Sequence, residues 1–160
     1  MNTVHNAKEV HLSWLPSTTG SPPPLNAVQA DSGICLIRGK IGENLIPGKM
    51  LLRNGAASVL DKGKDIVISE FEILCNTNVF SNQTFYNWVP AFLGEVPTGA
   101  LLAGIITDTN EFLYIARAIV EDEMCIGQVN CSQKFALVSH KGKEYKVKDY
   151  DVLCFVKQQN

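Results

Sequence analysis

Residues 111 to 120, EFLYIARAIV, are nearly continuous in apolarity and rich in β-branched and aromatic side chains. A run of that kind predicts a strand covered on both faces rather than an amphipathic one. Residues 141 to 154, KGKEYKVKDYDVLC, alternate instead. Tyr145 and Val147 share one phase of the alternation, whereas Tyr150, Val152 and Cys154 share the other. Residues 62 to 75, KGKDIVISEFEILC, change phase in the same way between Ile68 and Phe71. A turn or bulge at Ser69-Glu70 and at Lys148-Asp149 accounts for both changes. Pro47-Gly48 and the two Lys-Gly-Lys triplets supply turn signals, and no long stretch has helical periodicity. The pattern predicts an all-β fold of antiparallel sheets.

The two alternating stretches are the ends of a longer likeness. Sliding the sequence along itself superposes 34–75 on 113–154 without a gap, with nine identities in 42 positions. Ordinary composition gives about two or three by chance. The identities include Arg38 with Arg117, Gly48 with Gly127, both Lys-Gly-Lys triplets, and Leu74-Cys75 with Leu153-Cys154. Upstream the register slips, but Trp14-Leu-Pro opens the first copy as Trp88-Val-Pro opens the second. We therefore expect one compact domain over 1–160, with repeat one at 12–75, a connector at 76–87 and repeat two at 88–155. Two copies are too few for a solenoid, so they are expected to pack about a pseudo-twofold axis.

Composition narrows the function classes. At 160 residues the chain is long enough for one hydrophobic core, and 46% hydrophobic against 19% charged residues describes a globular protein. Fourteen Lys and Arg against sixteen Asp and Glu leave no positive field for phosphates, so nucleic acid is not expected as a partner. The first residues, MNTVHNAKEVHLSW, carry no signal-peptide pattern, and the apolar runs are too short to span a membrane. The expected location is cytoplasmic, with non-classical secretion or vesicle association as the route to any outside ligand. The five cysteines are odd in number and read as free, mostly buried thiols. Two glycosylation sequons, at Asn82 and Asn130, would matter only in a secreted chain.

Taken together, Trp88-Val-Pro, Val96-Pro-Thr-Gly-Ala100, an acidic loop, Leu113-Tyr-Ile-Ala-Arg-Ala118, Gly142-Lys-Glu144 and Tyr150-Asp-Val-Leu153 resemble the DM-nine repeat family. The resemblance covers roughly residues 14 to 154. It implies a tandem-repeat β protein without catalytic activity, whose lectin members bind mannose in innate immune recognition. It further implies an Asp after the Pro-x-Gly-Ala strand and the Lys of a Pro-Gly-Lys turn as sugar ligands. In repeat one these are Asp31 and Lys49, with Asn44 beside them; in repeat two the corresponding candidates are Asp108, Gln128 and Glu123. Repeat two reads Ile126-Gly-Gln128 in place of Pro-Gly-Lys, which makes it the weaker site. The implied partners are mannose-type glycans or a microbial surface polysaccharide, with a homodimer or cluster to raise avidity; no cofactor is implied. The alternative is a protein–protein interaction module whose sugar site has decayed.

The chemistry of the residues suits a sugar. A carboxylate accepts from two neighbouring hydroxyls while an ammonium donates to their oxygens. By turn statistics alone, Asp31 with Ser32-Gly33 and Lys49 after Pro-Gly would be ordinary solvated turn residues. Arg38 and Arg117 recur inside apolar strands, where an unpaired charge is expensive, and Asp65 and Glu144 are the expected ion-pair partners. Trp14 and Trp88 are expected in the core. His5, His11 and His140 are scattered, and no hydrolase or P-loop motif is present. Cys125 and Cys131 with His140 do not have zinc-ribbon spacing, so no metal is expected. A Cys-His nucleophile built on Cys125 or Cys131 stays a minor alternative to buried, inert thiols.

Overall fold

A computed structural model describes residues 11–77 and 85–156. His5, the Asn82 sequon and residues 78–84 of the expected connector lie outside the described residues. Fourteen strands follow in chain order: β1 (Leu12–Thr18), β2 (Gln29–Asp31), β3 (Ile34–Ile41), β4 (Asn44–Leu51), β5 (Ala57–Asp61), β6 (Lys64–Ile68), β7 (Glu70–Asn76), β8 (Tyr86–Phe92), β9 (Leu102–Ile106), β10 (Glu111–Val120), β11 (Glu123–Val129), β12 (Ala136–His140), β13 (Lys143–Val147) and β14 (Asp149–Phe155). The expected all-β class holds, and all the strand pairs are antiparallel. The run EFLYIARAIV is β10, and the phase changes fall at Ser69 and Lys148, where β6 gives way to β7 and β13 to β14.

The main path runs β1-β7-β3-β4-β5-β6-β13-β12-β11-β10-β14-β8, and β9 pairs with both β10 and β4. The pairs β4-β5-β6-β13-β12-β11-β10-β9 thus return to β4 and close a barrel. Two strand pairings join the halves within it: Lys64 opposite Lys143, and Leu45 opposite Ile105. Closure removes the free edges that such strands would otherwise expose. One apolar cluster fills the first half around Ile37, Val59 and Ile73, and another fills the second around Ala116, Val138 and Val152. A third, with Leu36, Leu74, Ile115, Ile126 and Leu153, draws on both and ties them together.

The Lys-Gly-Lys triplets form the turns they predict. Lys62-Gly63 and Lys141-Gly142 have φ of 49° and 81°, and 50° and 78°. Positive φ at both residues of a two-residue loop matches the twist of the strands it joins. The expected turn at Pro47-Gly48-Lys49 is a correction: these residues lie inside β4, as Ile126-Gly127-Gln128 lie inside β11. Glycine is there for close approach. A Cβ at Gly48 would stand 2.1 Å from Ser58 O, and one at Gly127 would stand 1.8 Å from Leu137 O. The obstacle is neighbouring backbone, which cannot swing aside. Gly127→Ala is therefore expected to destabilise the fold by about 3 kcal/mol, the upper end for overpacking, measured by urea denaturation. Gly42→Ala, whose added carbon would meet nothing within 4 Å but sits at φ 59°, should cost less.

Candidate functional site

Arg38 and Arg117 fix the frame of the site. In register, Arg38 lies opposite Glu72 and Arg117 opposite Asp151 on adjacent antiparallel strands. Their Nε atoms donate to those carboxylates at 2.8 and 3.1 Å. Each guanidinium also stacks on a tryptophan ring, at 4.4 Å over Trp14 and 4.3 Å over Trp88. The tryptophans are half-buried against the shared cluster and serve as platforms for the cations. The arginines pair with carboxylates as expected, but the partners Asp65 and Glu144 are a correction. Asp65 faces Leu60 across β5-β6 and Glu144 faces Ser139 across β12-β13, two or more strands away from the arginines along the sheet. Glu72 and Asp151 were legible as a pair, since they too coincide when 34–75 is laid on 113–154.

Each arginine then crosses to the other half of the chain. Arg117 Nη1 donates to Ala30 O at 2.7 Å, and Arg38 Nη1 to Ala103 O at 3.5 Å. Ala30 immediately precedes Asp31, so Arg117 sets where that carboxylate stands.

Asp31 ends β2 at an exposed turn, where Ser32 N–H donates to its Oδ1 at 2.9 Å and Gly33 N–H donates to Gln29 Oε1 at 3.1 Å. Lys49 is half-buried on β4, opposite Leu36 and Ser58, and its ammonium forms no hydrogen bond or ion pair with the described residues. Both residues line one cavity of about 790 Å³ between the halves. Its far walls are the tips of the β10-β11 and β12-β13 hairpins, with Asp122, Glu123, Cys125, His140 and Lys141. Ser139, in the same wall, leaves a buried hydroxyl without a hydrogen-bond partner.

The other candidates divide. Glu123 lines this same cavity instead of forming a second one. Asn44 is a correction: its Oδ1 accepts from Thr107 N–H at 3.0 Å and from Thr107 Oγ1 at 3.1 Å, which pins the loop after β9. Gln128 is another: buried, its Nε2 donates to Leu60 O at 2.7 Å, so its polar end is spent on the scaffold. Asp108 is an exposed loop residue outside the cavity. At the place where Asp31 follows Ala30, the second half has Gly104 after Ala103. There β9 runs on to pair with β4, and a Cβ at Gly104 would stand 2.1 Å from Leu45 O. The counterpart position is therefore filled by backbone.

The Cys-His pair that the sequence left as a minor alternative takes shape around His140 and Cys125, with a third member that sequence reasoning missed, Glu121. His140 is 2% exposed, with Nε2 2.9 Å from Glu121 Oε2 and Nδ1 3.5 Å from Cys125 Sγ. Glu123 Oε2 stands 3.7 Å from the same Nδ1, and the ring meets Tyr145 edge-on. The signal was a mismatch inside the repeat, because Asp61 occupies the position in the first copy that matches His140 in the second. Burial pushes the Cys125 thiol up, and the Lys49 ammonium pulls it partly back. Burial likewise raises Cys35, Cys75 and Cys154, leaving Cys131 as the one exposed thiol of the five. Among the described residues no cluster of His, Cys, Asp or Glu is arranged to hold a metal ion, and no helix is long and apolar enough to cross a membrane.

The model of the DM9 repeat family matches residues 29–147. Among solved structures, the crystal structure of the nematode sperm cell motility protein MFP2B is similar with a TM-score of 0.64 and 12% sequence identity, over 90% of this chain and 44% of that one. At that identity the likeness is one of fold, and this chain spans less than half the length of that protein. No curated protein matches the chain.

Arg117→Met leaves Asp151 and Ala30 O without their partner and is expected to cost about 3 kcal/mol, as breaking a partly buried pair does. Glu144→Ala, on the unpaired candidate, is expected within about 0.5 kcal/mol of wild type. Parallel thermal and urea unfolding checks both.

Proposed function

Because the chain belongs to the DM9 repeat family, whose model covers residues 29–147, we propose that it recognises a carbohydrate, a mannose-type glycan, in the cavity lined by Asp31 and Lys49. One observation carries the reading. Two residues 18 positions apart, one from β2 and one from β4, meet at a single solvent-open cavity while Lys49 keeps its ammonium uncommitted. A carboxylate accepts from vicinal hydroxyls and an ammonium donates to their oxygens, the complementary halves of sugar recognition. Glu123 and Asp122 on the opposite wall extend the acceptor surface.

The reading includes valence. With Gln128 spent on Leu60 O and Gly104 letting β9 lie on β4, each chain offers one site. A wet site binding one monosaccharide at millimolar strength is worth only about −4 kcal/mol. Useful avidity on a polysaccharide then requires several chains engaging together, through a homodimer or a cluster. The same reading takes 12–75 and 88–155 as two units about a pseudo-twofold axis. The reciprocal contacts of Arg38 and Arg117 and the pairing of Lys64 with Lys143 support it.

Titration calorimetry with mannose and mannose-terminated oligosaccharides, guided by a glycan array, tests the proposal. The expected stoichiometry is one sugar per chain. Asp31→Ala and Lys49→Ala are each expected to weaken binding more than tenfold, whereas Asp108→Ala should not. An array with no carbohydrate bound, or affinity unchanged in both cavity variants, refutes it.

A further inference from the structure

The second wall of the cavity carries chemistry that sugar recognition does not use. Glu121 Oε2 can only accept, so the hydrogen at its 2.9 Å contact belongs to His140 Nε2. In the neutral imidazole that leaves the Nδ1 lone pair to Cys125 Sγ at 3.5 Å, the nearer of its two neighbours, with Glu123 Oε2 at 3.7 Å. A thiol in reach of a base that is itself oriented by a carboxylate is the geometry of an activated nucleophile. The thiol reaches Glu123 O at 3.5 Å, a contact to the carbonyl two residues back that Cys75 and Cys154 also make, and what sets Cys125 apart is the imidazole. The buried pair Cys75 and Cys154 recurs across the repeat, Cys35 does not, and the first-copy positions that match Glu121, Cys125 and His140 hold Gly42, Ile46 and Asp61, so the histidine and carboxylate beside the thiol belong to the second copy alone. The three residues occur together once; Cys125 and His140 line the cavity that Asp31 and Lys49 share, and Glu121 holds His140 from outside its lining.

We propose that Cys125 is a nucleophilic thiol, with His140 as its general base and Glu121 as the residue that positions the imidazole, and that it accepts the acyl group of an ester bound in this cavity. Burial keeps the thiol protonated at rest, so its proton must leave during attack. The S–H proton passes to His140 Nδ1 as Sγ bonds to the carbonyl carbon, and the carbonyl electron pair moves onto oxygen. Lys49 lines the same cavity and is a cation available to that charge. Collapse expels the alkoxide, which takes the proton from His140 and departs as an alcohol. Water then attacks the thioester, giving the carboxylic acid and restoring the thiol. No oxidant, metal or cofactor enters the balance. If the glycan reading holds, the ester is an O-acyl group carried on a sugar; the thiol centre itself does not depend on that reading.

Cys125 is 3% exposed, so a small probe is required. In a Cys131→Ser background, 4-nitrophenyl acetate is added and acetylation of each cysteine is followed by peptide mass spectrometry, with nitrophenolate release in parallel. Cys125 is expected to be acetylated at least tenfold faster than Cys35, Cys75 and Cys154, which burial also holds protonated but which lack a base. His140→Gln should slow Cys125 about 100-fold, the scale of a lost general base. Glu121→Gln, at an exposed position, should slow it less and displace its pH–rate profile. Cys125 reacting no faster than Cys35, or both variants keeping the wild-type rate and profile, overturns the proposal. Mono-O-acetylated mannose separates the two ideas: Cys125 acetylated by the nitrophenyl ester while the sugar ester is left intact upholds the thiol centre and overturns the sugar as its substrate.

Discussion

Two guanidinium groups organise this molecule. Arg38 and Arg117 sit within strands whose neighbours are apolar, where an isolated charge would cost several kcal/mol. Each is satisfied from three directions: a carboxylate on the adjacent strand, a tryptophan face, and a backbone carbonyl from the other half of the chain. The first two are local to each half. The third is reciprocal, so neither half can satisfy its own arginine without the other. The shared cluster around Leu36, Ile115 and Leu153 adds apolar burial to the same union. Apolar burial has no direction, whereas the crossed hydrogen bonds fix how the halves face each other.

That registration reaches the candidate site directly. Arg117 holds Ala30, one residue before Asp31; Arg38 holds Ala103, one residue before Gly104. The same crossed contact thus presents a carboxylate to solvent on one side and a bare backbone on the other. With no side chain at Gly104, β9 can settle onto β4, and the loop beyond it is pinned through Thr107 and Asn44. A small difference, Asp against Gly at corresponding places, decides which side stays open. Lys49 against Gln128 follows the same division, one polar end left uncommitted and the other bonded to Leu60 O.

Much of the architecture was legible because strands and tight turns are local. Continuous apolarity marked β10, and the change of phase at Ser69 and Lys148 marked the breaks before β7 and β14. The ion-pair partners were not legible from local pattern, because Arg38 meets Glu72 only through the lateral order that sets β7 beside β3. The repeat identifies which residues recur, not which of them touch, and several acids recur at the same interval. Pro47-Gly48 misled for a related reason. A glycine needed where two backbones nearly touch is spelled the same way as one needed for a turn, and only the neighbouring strand distinguishes them. Asp31 and Lys49 could be named from the family's motif, but their meeting at one cavity, and the presence of Glu123 in it, depends on the two halves being assembled.

Several of the residues that break the repeat line the cavity between the halves. Some packing and ion-pairing positions keep the same side chain in both copies, as at Arg38 and Arg117 or Cys75 and Cys154, while others change only in kind, as Glu72 does to Asp151. A position facing the other copy need not match once its counterpart has been committed elsewhere. Gln128 closes one side, so Lys49 is released on the other; Asp61 ends β5 on one side, while on the other His140 gathers Cys125 and Glu121. These differences fall where the halves face each other, and the cavity draws its walls from both. A cavity of that kind cannot be built from one half alone. It arises from the difference between two.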